Sequence, residues 1–194
     1  MTSLILIDRD GVINRDSSAF VKSVAEFQPL PGAIEAMADL HRAGFKVGVC
    51  TNQSGVGRGL LSEATLTDIH AELVRLVEEA GGRVDAIRYC PHHPDAGCDC
   101  RKPRPGLLLD LMSALGETPE STVFVGDSIR DVEAALAAGC HTALVRTGNG
   151  RQAEADARRL GVDEVHDDLA AFAAVEIARR GDRTTESVPE RGRP

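Results

Sequence analysis

The chain has 194 residues, of which 42% are hydrophobic, and a formal net charge of −8 at pH 7. This length suits one domain with a buried core. The acidic balance, without a basic stripe, argues against nucleic acid as a partner. No apolar run approaches the roughly 18 residues that span a bilayer, and no basic segment precedes the first apolar run, as a signal peptide requires. We expect a cytoplasmic monomer without a membrane partner.

The first predicted strand ends in two acidic residues. Residues 4–7 are Leu-Ile-Leu-Ile, a run typical of a strand buried on both faces inside a parallel sheet. Asp8 and Asp10 follow two positions apart, so both side chains leave the strand end together, and Gly11 allows a sharp turn. Two like charges this close need compensation, and a divalent metal is the leading candidate. A plain loop that only ends the strand is the alternative.

Strand and helix patterns alternate along the rest of the chain. Further strands are predicted at 46–51, 84–89, 121–125, 141–145 and 164–166. Helices are predicted at 32–42, 63–76, 106–115, 129–138, 153–160 and 169–179, with a glycine-rich polar loop at 52–59. This alternation predicts a doubly wound α/β fold with a parallel sheet. Residues 1–180 form the predicted domain, and 181–194 are too polar to bury much surface, which predicts a disordered tail.

The predicted strand ends carry residue types that complement one another. These residues are Asp8, Asp10, Thr51, Asn52 and Asp127, and they are joined by Lys102, which precedes a helix. The carboxyl ends of parallel strands meet at the edge where ligands bind. Carboxylates hold Mg2+, while an ammonium and free backbone N–H groups neutralise a transferring phosphoryl group. An aspartate can also act as the nucleophile. The sequence therefore predicts phosphoryl transfer at this edge.

Cysteine and histidine residues cluster after the third predicted strand. Cys90, His92, Cys98 and Cys100 supply four ligands of the types that tetrahedral zinc prefers. Their spacing differs from that of common zinc fingers, so a disulfide, disfavoured in the cytoplasm, and reduced thiols remain alternatives. The adjacent His93 is expected to be exposed. Cys50 and Cys140 lie on or beside buried strands and are expected to fill the core.

Four motifs together resemble the haloacid dehalogenase-like phosphatases. They are Asp8-x-Asp10-Gly11-Val12, Thr51-Asn52, Lys102 before a helix, and Gly126-Asp127 with Asp131. The resemblance covers about residues 3–175, in the family's order. The longer strings at 8–14, 51–56 and 98–103 are similar to the branch that contains heptose-bisphosphate and histidinol-phosphate phosphatases.

The resemblance implies a role for each matching catalytic residue. Asp8 would be the nucleophile, and Asp10 would protonate the leaving group and then activate water. The backbone carbonyl of Asp10 would join Asp8 and Asp127 in binding Mg2+. Thr51 would hydrogen-bond the phosphoryl oxygens, and Lys102 would pair with both the nucleophile and the phosphoryl group. Asp131 lies in the first turn of a helix, where the dipole favours an acid, so we expect it to cap that helix rather than ligate the metal.

The resemblance also implies a second metal and a set of substrate contacts. Zinc would bind Cys90, His92, Cys98 and Cys100 with no open position, which is typical of a structural site. The implied substrate-binding residues are Asp16, Ser17, Asn52, Gln53, Ser54, Arg101 and Ser128. Ser128 stands where this branch often has a basic residue, and the loop from Asp16 to Phe20 departs from the branch pattern. Both departures leave the substrate and its anomer open.

The leading hypothesis is therefore a Mg2+-dependent phosphatase of a small phosphorylated metabolite, with heptose bisphosphate ahead of histidinol phosphate. A non-catalytic, zinc-stabilised binding protein is the alternative from another class, and it would be expected to lack Asp8 or Asp10. We also predict that no large cap domain covers the site. The interval between Asn14 and Pro31 is too short to fold independently, and Thr51 lies close behind the helix that Pro31 begins.

Overall fold

The computed structural model describes residues 2–186, in which a six-stranded parallel sheet is covered by helices on both faces. The strands are β1 (Leu4–Ile7), β2 (Lys46–Asn52), β3 (Ala86–Cys90), β4 (Thr122–Gly126), β5 (His141–Val145) and β6 (Val165–His166). The helices are α1 (Ala33–Arg42), α2 (Ser54–Gly57), α3 (Glu63–Glu79), α4 (Gly106–Leu115), α5 (Ile129–Ala138), α6 (Gly150–Arg159) and α7 (Leu169–Glu186). The predicted doubly wound α/β fold is confirmed.

The strand order places β1 at the centre of the sheet. The order is β3-β2-β1-β4-β5-β6, and every neighbouring pair is parallel. The chain moves outward from β1 to β3 and then returns to the other side of β1 with β4. The crevice between β1 and β4 at their carboxyl ends is therefore the switch point where open α/β sheets bind ligands.

The alternation of side chains along β1 divides the core into two layers. Ile5 and Ile7 join the layer formed with α1, α3 and α7, whereas Leu4 and Leu6 join the layer formed with α4 and α5. All four side chains are fully buried, which explains why this strand is continuously aliphatic. Cys50 and Cys140 are buried in the second layer, which confirms the prediction that they fill the core.

Several predicted boundaries differ from the structure. Strand β3 is shifted to Ala86–Cys90 because it pairs with the end of β2, where Asn52 lies opposite Cys90. The glycine-rich loop contains one helical turn, α2, and α6 begins at Gly150 rather than at residue 153. Tertiary pairing and single turns of helix leave little trace in sequence periodicity.

The domain boundary predicted at residue 180 falls inside a helix. Helix α7 continues to Glu186, because each added residue extends an existing ladder of hydrogen bonds at little cost. Arg180 also supports this turn, since its guanidinium lies 4.5 Å from the centre of the Phe45 ring and donates to the backbone oxygen of Thr2. The remaining part of the predicted tail, residues 187–194, lies outside the described residues.

No separate cap domain is present in the part of the chain that the structure describes. The connection from β1 to α1 contains only a 3-10 turn at Val24–Glu26 and short bridges, one of which pairs Asn14 with Pro29. The connection from β2 to α3 contains only α2. Between residues 2 and 186, no helix has the length and apolar character needed to cross a membrane.

Candidate active site

A cavity of about 180 Å³ opens at the carboxyl ends of β1, β2 and β4. All twelve predicted site residues outside the cysteine cluster line it: Asp8, Asp10, Asp16, Ser17, Thr51, Asn52, Gln53, Ser54, Arg101, Lys102, Asp127 and Ser128. They come from segments up to about 120 positions apart in the sequence, and the parallel sheet brings them together because its strand ends share one edge.

Lys102 holds two buried carboxylates at the base of the cavity. Its Nζ lies 2.9 Å from Oδ1 of Asp8 and 2.7 Å from Oδ1 of Asp131, and it donates to the backbone oxygen of Cys50 at 3.0 Å. The Lys102 side chain is only 2% exposed. Burial lowers the pKa of this ammonium, but the pairs with Asp131 and Asp8 raise it well above its usual range. Lys102 is therefore a permanent positive charge beside Asp8.

Asp8, Asp127 and Asp131 form a compact acidic cluster. Each offers a carboxylate oxygen, and these three oxygens lie within 4.8 Å of one another. Burial raises the pKa of Asp8 well above its usual range; Lys102 opposes this shift, and Asp131 and Asp127 add to it. Burial, followed by repulsion from Asp131, raises the pKa of Asp127 to about 6. One ammonium does not compensate three carboxylates, so this cluster favours a further cation.

The backbone packs closely around the Asp127 carboxylate and leaves no room for a side chain at Gly11 or Gly148. A Cβ atom on Gly11 would lie 2.1 Å from Oδ2 of Asp127, and one on Gly148 would lie 2.0 Å from the same oxygen. The backbone N–H and the side-chain amide of Asn149 both donate to this Oδ2, at 2.8 and 3.2 Å. Asp127 is thus fixed in orientation, and the all-oxygen donor set of the cluster is the type that Mg2+ prefers.

Asp131 caps the helix that follows Asp127, as the sequence predicted. Its Oδ2 accepts the backbone N–H of Ser128 at 3.1 Å and the Ser128 hydroxyl at 2.6 Å. Its other oxygen pairs with Lys102. The hydroxyl of Ser128 lines the cavity but donates to Asp131, so in this structure it is engaged by the helix cap.

Asp10 has a cationic partner of its own within the protein. Its carboxylate does not join the acidic cluster but turns towards Arg9, whose Nη2 lies 3.0 Å from both carboxylate oxygens. Asn14 donates to Oδ1 at 2.8 Å, and Gln53 donates to Oδ2 at 2.7 Å. The guanidinium of the preceding residue, Arg9, therefore neutralises Asp10 in the turn that follows the end of β1 at Ile7.

Residues at the end of β2 line the opposite wall of the cavity. The side-chain amide of Gln53 donates to the hydroxyl oxygen of Thr51 at 2.9 Å as well as to Asp10. Asn52 makes a reciprocal pair with the backbone of Lys102, donating to its oxygen and accepting its N–H, both at 3.1 Å. The end of β2 is thus fixed to the segment that carries Lys102.

The outer rim of the cavity carries polar and cationic side chains. Asp16 accepts the N–H of Ser17 at 2.7 Å and approaches the side-chain amide of Asn149 at 3.4 Å. The Nη1 atom of Arg101 is buried without a hydrogen-bond partner among the described residues. Arg130, at the start of α5, is exposed and lines the same cavity. Two guanidinium groups therefore stand at the mouth of an otherwise acidic cavity.

Cys90, His92, Cys98 and Cys100 converge on one point beside the cavity. The Sγ of Cys98 lies 3.6 Å from that of Cys90 and 3.5 Å from that of Cys100. The Nδ1 of His92 lies 3.5 Å from the Sγ of Cys90 and 3.2 Å from that of Cys100. Four ligands about 2.3 Å from a tetrahedral zinc ion stand about 3.8 Å apart. The cluster therefore has nearly the dimensions of a closed zinc site, and none of its thiols is in a disulfide.

The segment containing this cluster is attached to the active-site cavity at two places. The N–H of Gly57 in α2 donates to the backbone oxygen of Pro91 at 2.8 Å, and a Cβ on Gly57 would lie 2.6 Å from that oxygen. Arg101 and Lys102 directly follow Cys100. The adjacent His93 is not in the cluster; its side chain is 41% exposed and accepts the N–H of Asp95. The cysteine segment thus sets the position of Arg101 and Lys102.

Comparison with known proteins identifies the family. A HAD-hydrolase-like family model matches residues 99–172. A relative from Pseudomonas putida named D-glycero-beta-D-manno-heptose-1,7-bisphosphate 7-phosphatase is 50% identical over 88% of this chain and 97% of its own length. A Bordetella bronchiseptica relative with the same name is 49% identical over 88% of this chain and 95% of its own length.

The chain belongs to the haloacid dehalogenase-like family. A crystal structure of the D,D-heptose 1,7-bisphosphate phosphatase from B. bronchiseptica, complexed with magnesium and phosphate, has a TM-score of 0.86 to this structure. It is 47% identical to this chain, and the match covers 92% of this chain and 99% of that one. The family resemblance stated from the four sequence motifs is thereby confirmed.

Four residues at this haloacid dehalogenase-like site were not singled out from the sequence. They are Arg9, His70, Arg130 and Asn149. Arg9 and Asn149 had a local signal, since Arg9 stands between two aspartates and Asn149 lies between two glycines in a polar turn. His70 had none, because it occupies one position on the buried face of α3. Arg130 also had no signal in the sequence, because only the position of α5 in the fold places this exposed arginine at the cavity.

Proposed function

We propose that this protein is a Mg2+-dependent phosphatase that removes the 7-phosphate of D-glycero-D-manno-heptose 1,7-bisphosphate. The observation that carries the proposal is the full-length similarity to relatives of that name. Their names specify the β anomer, which we propose for this chain as well. The cavity supports the chemistry, because it places a buried aspartate beside a permanent ammonium at the switch point of the sheet.

In the first step, a carboxylate oxygen of Asp8 attacks the phosphorus atom. A bond forms between Asp8 and phosphorus while the bond from phosphorus to the sugar oxygen breaks, and Asp10 gives its proton to that oxygen. Lys102 and the Thr51 hydroxyl neutralise charge on the phosphoryl oxygens. The dephosphorylated sugar then leaves as a neutral alcohol at this position.

In the second step, water releases the phosphate. The water oxygen attacks phosphorus, Asp10 takes the proton from that water, and the bond between phosphorus and Asp8 breaks. Asp8 returns to its carboxylate form, and Asp10 is again protonated for the next turnover. The two steps consume one water molecule and release one inorganic phosphate.

The residues present fit both predicted metals. Asp8, Asp127 and the backbone carbonyl of Asp10 would hold Mg2+, which supplies positive charge to the buried carboxylates and the phosphoryl group. Zinc would bind Cys90, His92, Cys98 and Cys100 and act structurally, because the four ligands leave no open position.

A substrate with a second phosphate explains the cations at the cavity mouth. Lys102 is already paired with Asp8 and Asp131. Arg101 has a buried Nη1 atom that lacks a partner, and Arg130 makes no ion pair among the described residues. A guanidinium binds phosphate oxygens through paired hydrogen bonds. These two side chains are therefore suited to a phosphate outside the catalytic cluster.

Phosphate release from a substrate panel tests the proposal. The panel contains both anomers of the heptose bisphosphate, the heptose 7-phosphate and histidinol phosphate, each assayed with Mg2+. We expect the highest kcat/KM for the β bisphosphate. A higher kcat/KM for histidinol phosphate would reject the heptose assignment and favour the second branch activity. Absence of turnover on every substrate would favour a non-catalytic binding protein.

Arg130→Ala is expected to reduce kcat/KM for the bisphosphate about tenfold, the cost of one exposed charge-assisted contact. The heptose 7-phosphate should be hydrolysed at an unchanged rate, because it has no second phosphate. Arg151→Ala on α6 is the matched control, since Arg151 is exposed but does not line the cavity. Equal losses on both substrates would show that Arg130 does not recognise the second phosphate.

We infer further that the protein acts as a cytoplasmic monomer. All five cysteines are free, as expected in a reducing compartment. Among the residues whose side chains the structure describes, the large exposed hydrophobic residues are scattered along the sequence: Val24, Leu60, Leu109, Leu136 and Leu160. Sedimentation velocity checks the monomer, with an expected mass near 20.6 kDa; a mass of twice that value would contradict it.

A further inference from the structure

We propose that Arg9 is a positioning residue that holds the Asp10 carboxylate in the orientation needed for proton transfer. The inference rests on the proposed function, in which Asp10 protonates the leaving oxygen. Arg9 itself does not line the cavity, so it acts through Asp10 and not on the substrate.

The contacts of Arg9 restrict both oxygens of Asp10. Its Nε lies 3.2 Å from Oδ1, and its Nη2 lies 3.0 Å from each oxygen. Asn14 and Gln53 each contact only one of the two oxygens. Arg9 is therefore the donor, among the described residues, that spans the carboxylate and resists its rotation about the Cβ–Cγ bond.

The far side of the Arg9 guanidinium is held by His70. Nη1 of Arg9 lies 3.3 Å from Nε2 of His70, and that nitrogen accepts the hydrogen bond only when it carries no proton. Burial, with the neighbouring Arg9 charge, lowers the pKa of His70 to about 4, which keeps the ring neutral. The ring also lies 5.6 Å from the ring of Tyr89 on β3. Helix α3 and strand β3 thus fix His70, and His70 fixes Arg9.

Arg9 and Asp10 differ in solvent exposure, which indicates different roles for the two side chains. The Arg9 side chain is 0% exposed, whereas that of Asp10 is 23% exposed and faces the cavity. Burying a guanidinium is costly, and a buried ion pair seldom stabilises a fold more than apolar residues of the same volume would. What the pair supplies is a fixed direction for the carboxylate, and proton transfer depends strongly on that geometry.

Leaving-group dependence distinguishes positioning from a purely structural role. A sugar alkoxide leaves slowly unless it receives a proton, so its release depends on the position of Asp10. p-Nitrophenolate leaves as a stable anion and needs little help. Loss of correct positioning should therefore slow the sugar phosphate selectively. General destabilisation of the fold would slow both substrates alike.

The test uses Arg9→Lys in the full chain with both metals present. Lysine keeps the charge but loses the planar fork of donors. We expect kcat for the heptose bisphosphate to fall about 100-fold, the effect of a misplacement near 1 Å, with KM nearly unchanged. kcat for p-nitrophenyl phosphate should fall less than about threefold. The ratio of kcat for the heptose bisphosphate to kcat for p-nitrophenyl phosphate should therefore fall. His70→Leu removes the hydrogen-bond acceptor of Arg9 Nη1 and should lower the same ratio.

Two further variants make each outcome decisive. Asp10→Asn removes proton transfer itself, so it should slow the heptose bisphosphate much more than p-nitrophenyl phosphate. Equal slowing of both substrates by Asp10→Asn would reject the proposed role of Asp10. Glu176→Gln removes the buried partner of an ion pair with the exposed Arg179 on α7, remote from the cavity, and should leave the ratio of the two kcat values unchanged. If Asp10→Asn is selective while Arg9→Lys and His70→Leu are not, the positioning role of Arg9 is overturned. If Arg9→Lys does not fold, His70→Leu alone decides.

Discussion

Asp8→Asn is expected to reduce kcat at least about 10⁴-fold, which is typical of losing a catalytic nucleophile. An amide is a poor nucleophile, and its neutral side chain would also contribute less to holding Mg2+ beside Asp127. Lys102 keeps its pair with Asp131 at 2.7 Å, so the fold should survive. Phosphate release from the heptose bisphosphate, measured with saturating Mg2+, checks the expected loss.

Phosphoenzyme trapping separates a lost nucleophile from a disturbed site. Wild-type enzyme quenched in acid during turnover should carry phosphate on Asp8, whereas the Asn variant should carry none. Asp156→Asn is the matched control, because it makes the same change on an exposed carboxylate of α6 that pairs with Arg159. Turnover in Asp8→Asn within tenfold of wild type would exclude the nucleophile assignment.

His92→Ala is expected to lower both metal content and activity. Removing one of four ligands leaves an open, weakened site, and structural zinc sites contribute much of the folding energy of the segment they hold. We expect zinc content to fall from one ion per chain, kcat/KM to fall more than about tenfold, and Tm to fall by about 10 °C, equivalent to a few kcal/mol in a domain of this size. Elemental analysis, activity and calorimetry measure the three effects.

His93→Ala is the matched control for that experiment. It removes a neighbouring histidine that lies outside the cluster and makes only a local contact with Asp95. We expect one zinc per chain, unchanged activity and a change in Tm of at most about 1–2 °C, as for most surface substitutions. Equal effects of His92→Ala and His93→Ala would contradict the assigned ligand set. Full activity of a zinc-free His92→Ala would show that the metal does not position Arg101 and Lys102.

The elements with strong local signals were predictable from the sequence. The run Leu4–Ile7 is buried on both faces, and a strand of that kind requires a parallel sheet with helices on both sides. The candidate site followed for the same reason, since residues at the carboxyl ends of parallel strands must meet at one edge. Asp8, Thr51 and Asp127 therefore line one cavity, as expected, although 119 positions separate the first from the last.

Short elements and boundaries depended on pairing partners that the local sequence does not reveal. Strand β3 ends at Cys90 because that residue lies opposite Asn52 of β2. The single turn α2 has too few residues to show helical periodicity. Helix α7 continues into residues whose composition favours a tail, because extending a formed helix costs little. In each case a neighbour or an existing helix determined the structure.

The sequence by itself determined the fold class, the acidic residues at the sheet edge and the four candidate zinc ligands, because aliphatic periodicity and residue type act locally. Only the tertiary structure decided how the charges pair. In the folded protein the Asp10 carboxylate lies apart from the acidic cluster and pairs with Arg9. His70 contacts the other side of the Arg9 guanidinium, and Arg130 lines the mouth of the cavity. Charges act through space over a few ångströms, so their partners are set by the packing of distant segments.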